Sequence, residues 1–89
     1  MKVVWTAEAL RDLGAIRAYL HPLNPVAARG VAQALLLAGD GLSLFPTRGR
    51  IGLEPGTREL VAVRPYVLVY EAGDAEVVIL AVWHGARER

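Results

Sequence analysis

The chain has 89 residues, 54% of them apolar and 21% charged, with no cysteine and a formal charge of +1. So apolar a composition, above the roughly 45–50% of ordinary soluble domains, excludes a disordered chain. The missing cysteines exclude a disulfide framework and cysteine-bound zinc, and the near-neutral charge argues against binding nucleic acid by bulk charge.

The length predicts one domain over residues 1–89. A domain of this size buries only about 60–65% of its unfolded surface, so part of the apolar excess is expected to stay exposed for a partner. Lys2 to Trp5 reads as a short strand, broken by Thr6. Thr6 suits a helix N-cap, and Glu8 suits the positive end of the helix that follows. Ala9, Leu10, Leu13, Ile16 and Leu20 share one face, with Arg11, Asp12 and Ala15 on the other. A helix is predicted from Ala7 to Leu20, ended by His21-Pro22. Asn24-Pro25 opens a second helix, closed by Phe45-Pro46. Its core stripe is Ala28, Val31, Ala32, Leu35, Ala38, Leu42 and Phe45. Small residues at Ala28, Ala32 and Gly39 would let this helix approach its neighbour closely. The short connection makes the pair an antiparallel hairpin.

Val26, Leu37 and Leu44 fall nearly opposite that stripe and form an outward apolar line, a candidate partner contact. Thr47 to Gly56 reads as loop, with Arg48 and Arg50 as solvated charges. Strands are predicted at Arg58 to Val63, Tyr66 to Glu71 and Glu76 to Trp83, the last apolar enough to be covered on both faces. Their short turns demand an antiparallel meander. The fold expected is α+β, in β-α-α-β-β-β order, with the helical hairpin packed on the sheet.

The first residues hold no signal-peptide core. The longest apolar run is far short of the ~20 residues of a membrane span. A cytoplasmic protein with no membrane partner is expected. His21 and His84 are the two histidines and neither has a carboxylate at ligand spacing, so no metal and no cofactor are expected. Ser43, the one serine, has no histidine nearby in sequence for nucleophilic catalysis, and the glycines lack a phosphate-loop context. The remaining chemistry sits at strand ends. Arg58, Arg64, Tyr66, Trp83, His84 and Arg87 can converge along one sheet edge in a meander. Arginine forks, a proton-carrying imidazole and flat aromatic faces would suit phosphate and base contacts there.

The opening Val3-Val4-Trp5-Thr6-Ala7-Glu8-Ala9-Leu10-Arg11-Asp12-Leu13, Asn24-Pro25-Val26-Ala27-Ala28 and Leu42-Ser43-Leu44-Phe45-Pro46-Thr47-Arg48-Gly49-Arg50 follow one another in a familiar order. They continue into Gly56-Thr57-Arg58-Glu59-Leu60, Pro65-Tyr66-Val67-Leu68-Val69-Tyr70 and Trp83-His84-Gly85-Ala86-Arg87. Together these segments resemble ParE toxins of the RelE/ParE superfamily over essentially the whole chain. The resemblance implies a bacterial type II toxin–antitoxin module, with the toxin neutralised by a cognate, ParD-like antitoxin.

The ParE branch is associated with poisoning DNA gyrase, the RelE branch with cutting messenger RNA on the ribosome. RelE-type ribonucleases carry a catalytic arginine directly after the tyrosine of the Gly-Tyr-Arg-Leu-Val-Tyr strand, where this chain has Val67. Arg58 keeps one basic position of the preceding strand and a second falls on Leu60. Arg87 matches a further basic position, and the tyrosine of the RelE C-terminal extension has no counterpart. Loss of a cation that stabilises developing phosphate charge costs a nuclease heavily. The resemblance therefore implies a gyrase inhibitor rather than an enzyme. The alternatives are a ribosome-dependent ribonuclease using Arg58, His84 and Arg87, and an inactive binding scaffold. The antitoxin is expected on apolar surface by the helical hairpin and sheet, through helix-in-groove or strand-addition contacts, with Val26, Leu37 and Leu44 as candidates.

Overall fold

The structure is a computed structural model that describes residues 1–85. Strand β1 (Lys2–Trp5) leads into helix α1 (Ala7–Leu20) and helix α2 (Pro25–Asp40), and a single 3-10 turn (Gly41–Ser43) follows. Strands β2 (Arg50–Ile51), β3 (Arg58–Val63), β4 (Tyr66–Ala72) and β5 (Glu76–His84) complete the chain. They form one five-stranded sheet in the order β1-β5-β4-β3-β2. All neighbours are antiparallel except β1 and β5, which run parallel from Lys2 opposite Glu76 to Trp5 opposite Ile79. This is the expected α+β hairpin-on-meander fold, with β1 at one edge. Among the described residues no helix is long and apolar enough to cross a membrane.

Both helices start where their caps dictate. The Thr6 hydroxyl accepts from the Ala9 N–H at 3.1 Å and donates to the Ile79 carbonyl at 2.9 Å, so one side chain caps α1 and ties it to β5. The Asn24 side chain accepts from the Ala27 N–H at 3.1 Å, with Pro25 in the first helical position. Helix α2 ends at Asp40, five residues before the predicted Phe45-Pro46 stop. Leu42 still reaches the core, but Phe45 is 62% exposed rather than packed. Gly39 serves the sheet and not α1: a Cβ there would run into the Trp5 ring and the Ile79 side chain.

The main core lies between the helices and one sheet face. Ala9, Leu13, Leu35 and Leu42 pack there against Tyr66, Leu68, Tyr70, Val77, Ile79 and Val82. Val67, Val69 and Ala81 form a smaller cluster on the opposite face, with half-buried Trp83 against it. The apolar run of β5 is therefore not sandwiched between two layers of elements. One face meets the helices, and the other is shielded by its neighbours' side chains. Strand β2 lies inside the predicted loop. Its Arg50, read as a solvated charge, donates to Glu59 at 3.2 Å, and Glu59 is only 2% exposed.

Candidate functional site

The meander does not bring the strand-end residues to one edge. Arg58 stands opposite Tyr70 at the start of β3, while Tyr66 and His84 pair at the other end of β4. The two ends are separated by the length of β3, roughly 16 Å at the usual strand rise. The Arg58 guanidinium is committed locally. It donates to the Gly49 carbonyl at 2.8 Å and the Thr47 carbonyl at 3.4 Å, and so holds the 46–49 loop. Arg64 is exposed in the β3–β4 turn. Trp83 pairs with Val67 on the face away from the helices. Arg87 lies outside the described residues.

Tyr66 and His84 are the pair that does meet. A register shift between Val69 and Tyr70, where Leu80 has no partner in β4, reverses the alternation of β5 beyond it. Val82 and His84 therefore face the helices although Val77 and Ile79 already do. Tyr66 is 8% exposed, and its ring meets the His84 ring edge to face at 5.6 Å and 88°. His84 Nδ1 is buried with no hydrogen-bond partner among the described residues. Asp12, Ile16 and Tyr19 of α1 stand beside this pair and Val82, lining a solvent-open pocket of about 230 Å³. These three α1 residues are spaced i, i+4, i+7, which puts them on one helix face. Asp12, read from sequence as facing outward, instead accepts from the Val82 N–H at 3.0 Å. Strand β1 has ended by this point of β5, so the carboxylate takes the place of a strand neighbour. The signal in the sequence was the i, i+4, i+7 stripe itself, next to a strand end.

A second concavity runs between the helices on their outer side. Leu10 and Leu13 of α1 and Ala32 and Leu36 of α2 form its floor, with Arg17 and Arg29 at its rim, over about 350 Å³. Among the described residues no carboxylate lines it. Leu10, placed in the core stripe by its period, is 48% exposed here. Exposed Leu37 extends the apolar surface beyond Leu36. Val26 is also exposed on α2, and Leu44, exposed too, lies past the end of that helix. The outward line is therefore not one continuous helical stripe.

The profile of the family described as ParE toxin of type II toxin-antitoxin system, parDE, matches residues 3–89. "Toxin RelE2" of Caulobacter vibrioides is 45% identical over 97% of this chain and 97% of its own length. "Toxin RelE1" of the same organism is 31% identical over 98% of this chain and 96% of its own. A solved chain described as "Chromosomal ParDE TA system from P. aeruginosa" superposes with a TM-score of 0.86 at 27% identity. That match covers 94% of this chain and 95% of the other.

Proposed function

Because the chain belongs to the ParE family of toxins of type II toxin–antitoxin systems, we propose that it inhibits DNA gyrase and is held inactive by a cognate, ParD-like antitoxin. The observation that carries the gyrase reading is the sheet face around Val67. Where the resemblance puts a nuclease's arginine, Val67 is 3% exposed and sits in an apolar cluster against Trp83. Arg58, the retained basic position, faces the other side of the sheet with its guanidinium bound to loop carbonyls. Val67 brings no charge, and Arg58 is turned to the helix side with one guanidinium nitrogen on loop carbonyls, so action by binding fits better than phosphodiester cleavage. Purified chain is expected to inhibit supercoiling by gyrase and to stabilise its cleavage complex. Normal supercoiling with no cleavage complex overturns the reading.

The antitoxin reading is supported by the groove between the helices. Its apolar floor and two-arginine rim suit an amphipathic helix that carries acidic residues beside its apolar face. A second reading, ribosome-dependent messenger RNA cleavage, is favoured by the Tyr66–His84 contact and by relatives whose names carry RelE. It requires cleavage in a translation extract that His84→Ala or Arg87→Ala abolishes.

A further inference from the structure

The pocket under α1 has a composition that selects its occupant, and we propose that it binds an arginine side chain presented by a protein partner. Its walls are the rings of Tyr66, His84 and Tyr19, with Ile16 and Val82 as apolar filling. The charged side chain in the lining is Asp12. One Asp12 oxygen accepts from the Val82 N–H. No cation pairs with this half-buried carboxylate among the described residues. Among the described residues the other oxygen has no donor, which leaves it to a ligand.

Size and chemistry narrow the choice. A cavity of about 150 Å³ holds a benzene ring, so about 230 Å³ holds a guanidinium with part of its stem. An anion is repelled by Asp12. A purely apolar side chain would take water from Asp12 and give no hydrogen bond in return. A lysine ammonium is compact and strongly hydrated. A guanidinium is flat, weakly hydrated, stacks on aromatic rings and forks onto a carboxylate. Tyr19, 65% exposed among these lining residues, adds the kind of amphipathic ring enriched at protein interfaces. The pocket lies on the α1 face that carries Asp12, away from the Arg17–Arg29 groove, so its occupant has the opposite charge to that expected in the groove. The inference stands whether the chain's target is gyrase or the ribosome.

The test is a heteronuclear NMR titration of the full chain with Nα-acetyl-arginine-N-methylamide. Saturable shifts are expected at the Val82 amide and the His84 ring. The uncharged citrulline analogue is expected to bind at least about tenfold more weakly. Asp12→Asn keeps an oxygen for the Val82 N–H, so it should melt like the parent chain yet lose the arginine response. Tyr19→Ala, a change at an exposed site, should weaken the response without unfolding the chain. Equal binding of arginine and citrulline overturns the proposal. So does arginine binding that survives Asp12→Asn, or shifts confined to other residues.

Discussion

Tyr70 shows how a fully buried side chain can serve the surface. Its hydroxyl donates to the Pro46 carbonyl at 2.8 Å and accepts from the Gly49 N–H at 2.9 Å. Arg58 grips the same loop from beside it. Gly49 has no room for a side chain, since a Cβ would come within 2.8 Å of the Tyr70 hydroxyl and 2.9 Å of the Glu59 carbonyl. Tyr70→Phe keeps the packing and leaves the Gly49 N–H without its partner in a buried place. A loss of about 1–3 kcal/mol is expected, read as a lower urea midpoint with an unchanged slope. None of this was legible beforehand. Tyr70 could be read as a strand residue, but its partners lie more than twenty residues away in a stretch with no periodicity. Arg58 could be read as a chemical residue for the same reason: carbonyls as binding partners leave no mark in a sequence. The opposite holds for Thr6 and Asn24, whose capping bonds are local and were readable as such.

At the scale of elements, α2 ends where its chain must bend onto the sheet. Trp5 Nε1 donates to Asp40 Oδ1 at 3.3 Å, and Gly39 lets the indole lie against the helix. Gly39→Ala gains about 1 kcal/mol of helix propensity but displaces the Trp5 ring and strains the core by about 1–3 kcal/mol. Net destabilisation is expected, with a lower thermal midpoint and a shifted Trp5 emission. The helices and the longer strands were legible because caps, proline positions and hydrophobic period agree there. The end of α2 was not, because Leu42 continues the helical stripe while the backbone has already tightened to 3-10. Strand β2 exists only through its pairing with Arg58 and Glu59. The strand-end residues split for two reasons: the antiparallel run of β3 puts Arg58 at the end away from Tyr66, and the register of β5 decides which of its last side chains joins Tyr66. A strict two-residue alternation puts Trp83 on the same face as Val77 and Ile79, and the irregularity near Leu80 puts His84 there instead.

On the scale of the whole molecule, the surfaces separate by chemistry. The outer side of the hairpin is apolar with an arginine rim, and the opposite sheet face is apolar around Trp83. If the groove is the antitoxin's, charge reversal there should uncouple neutralisation from toxicity. The double variant Arg17→Glu, Arg29→Glu is expected to bind antitoxin at least about tenfold more weakly, or ~1.4 kcal/mol. It should still arrest growth when antitoxin is co-expressed. Leu37→Asp should act in the same direction. Rescue of the double variant as complete as that of the parent chain would remove the groove from the antitoxin interface. Normal growth with the parent chain expressed alone would favour a non-toxic binding scaffold. One topological fact bears on when any of these surfaces exists. Among the described residues β1 pairs with β5 alone, Lys2–Trp5 against Glu76–Ile79. Until β5 has emerged, β1 has no neighbour, Thr6 has no strand to anchor to, and α1 has no wall beneath Asp12. The parallel edge, the anchor of α1 and the pocket beneath it therefore all wait on one late strand, and a chain without β5 has none of the three.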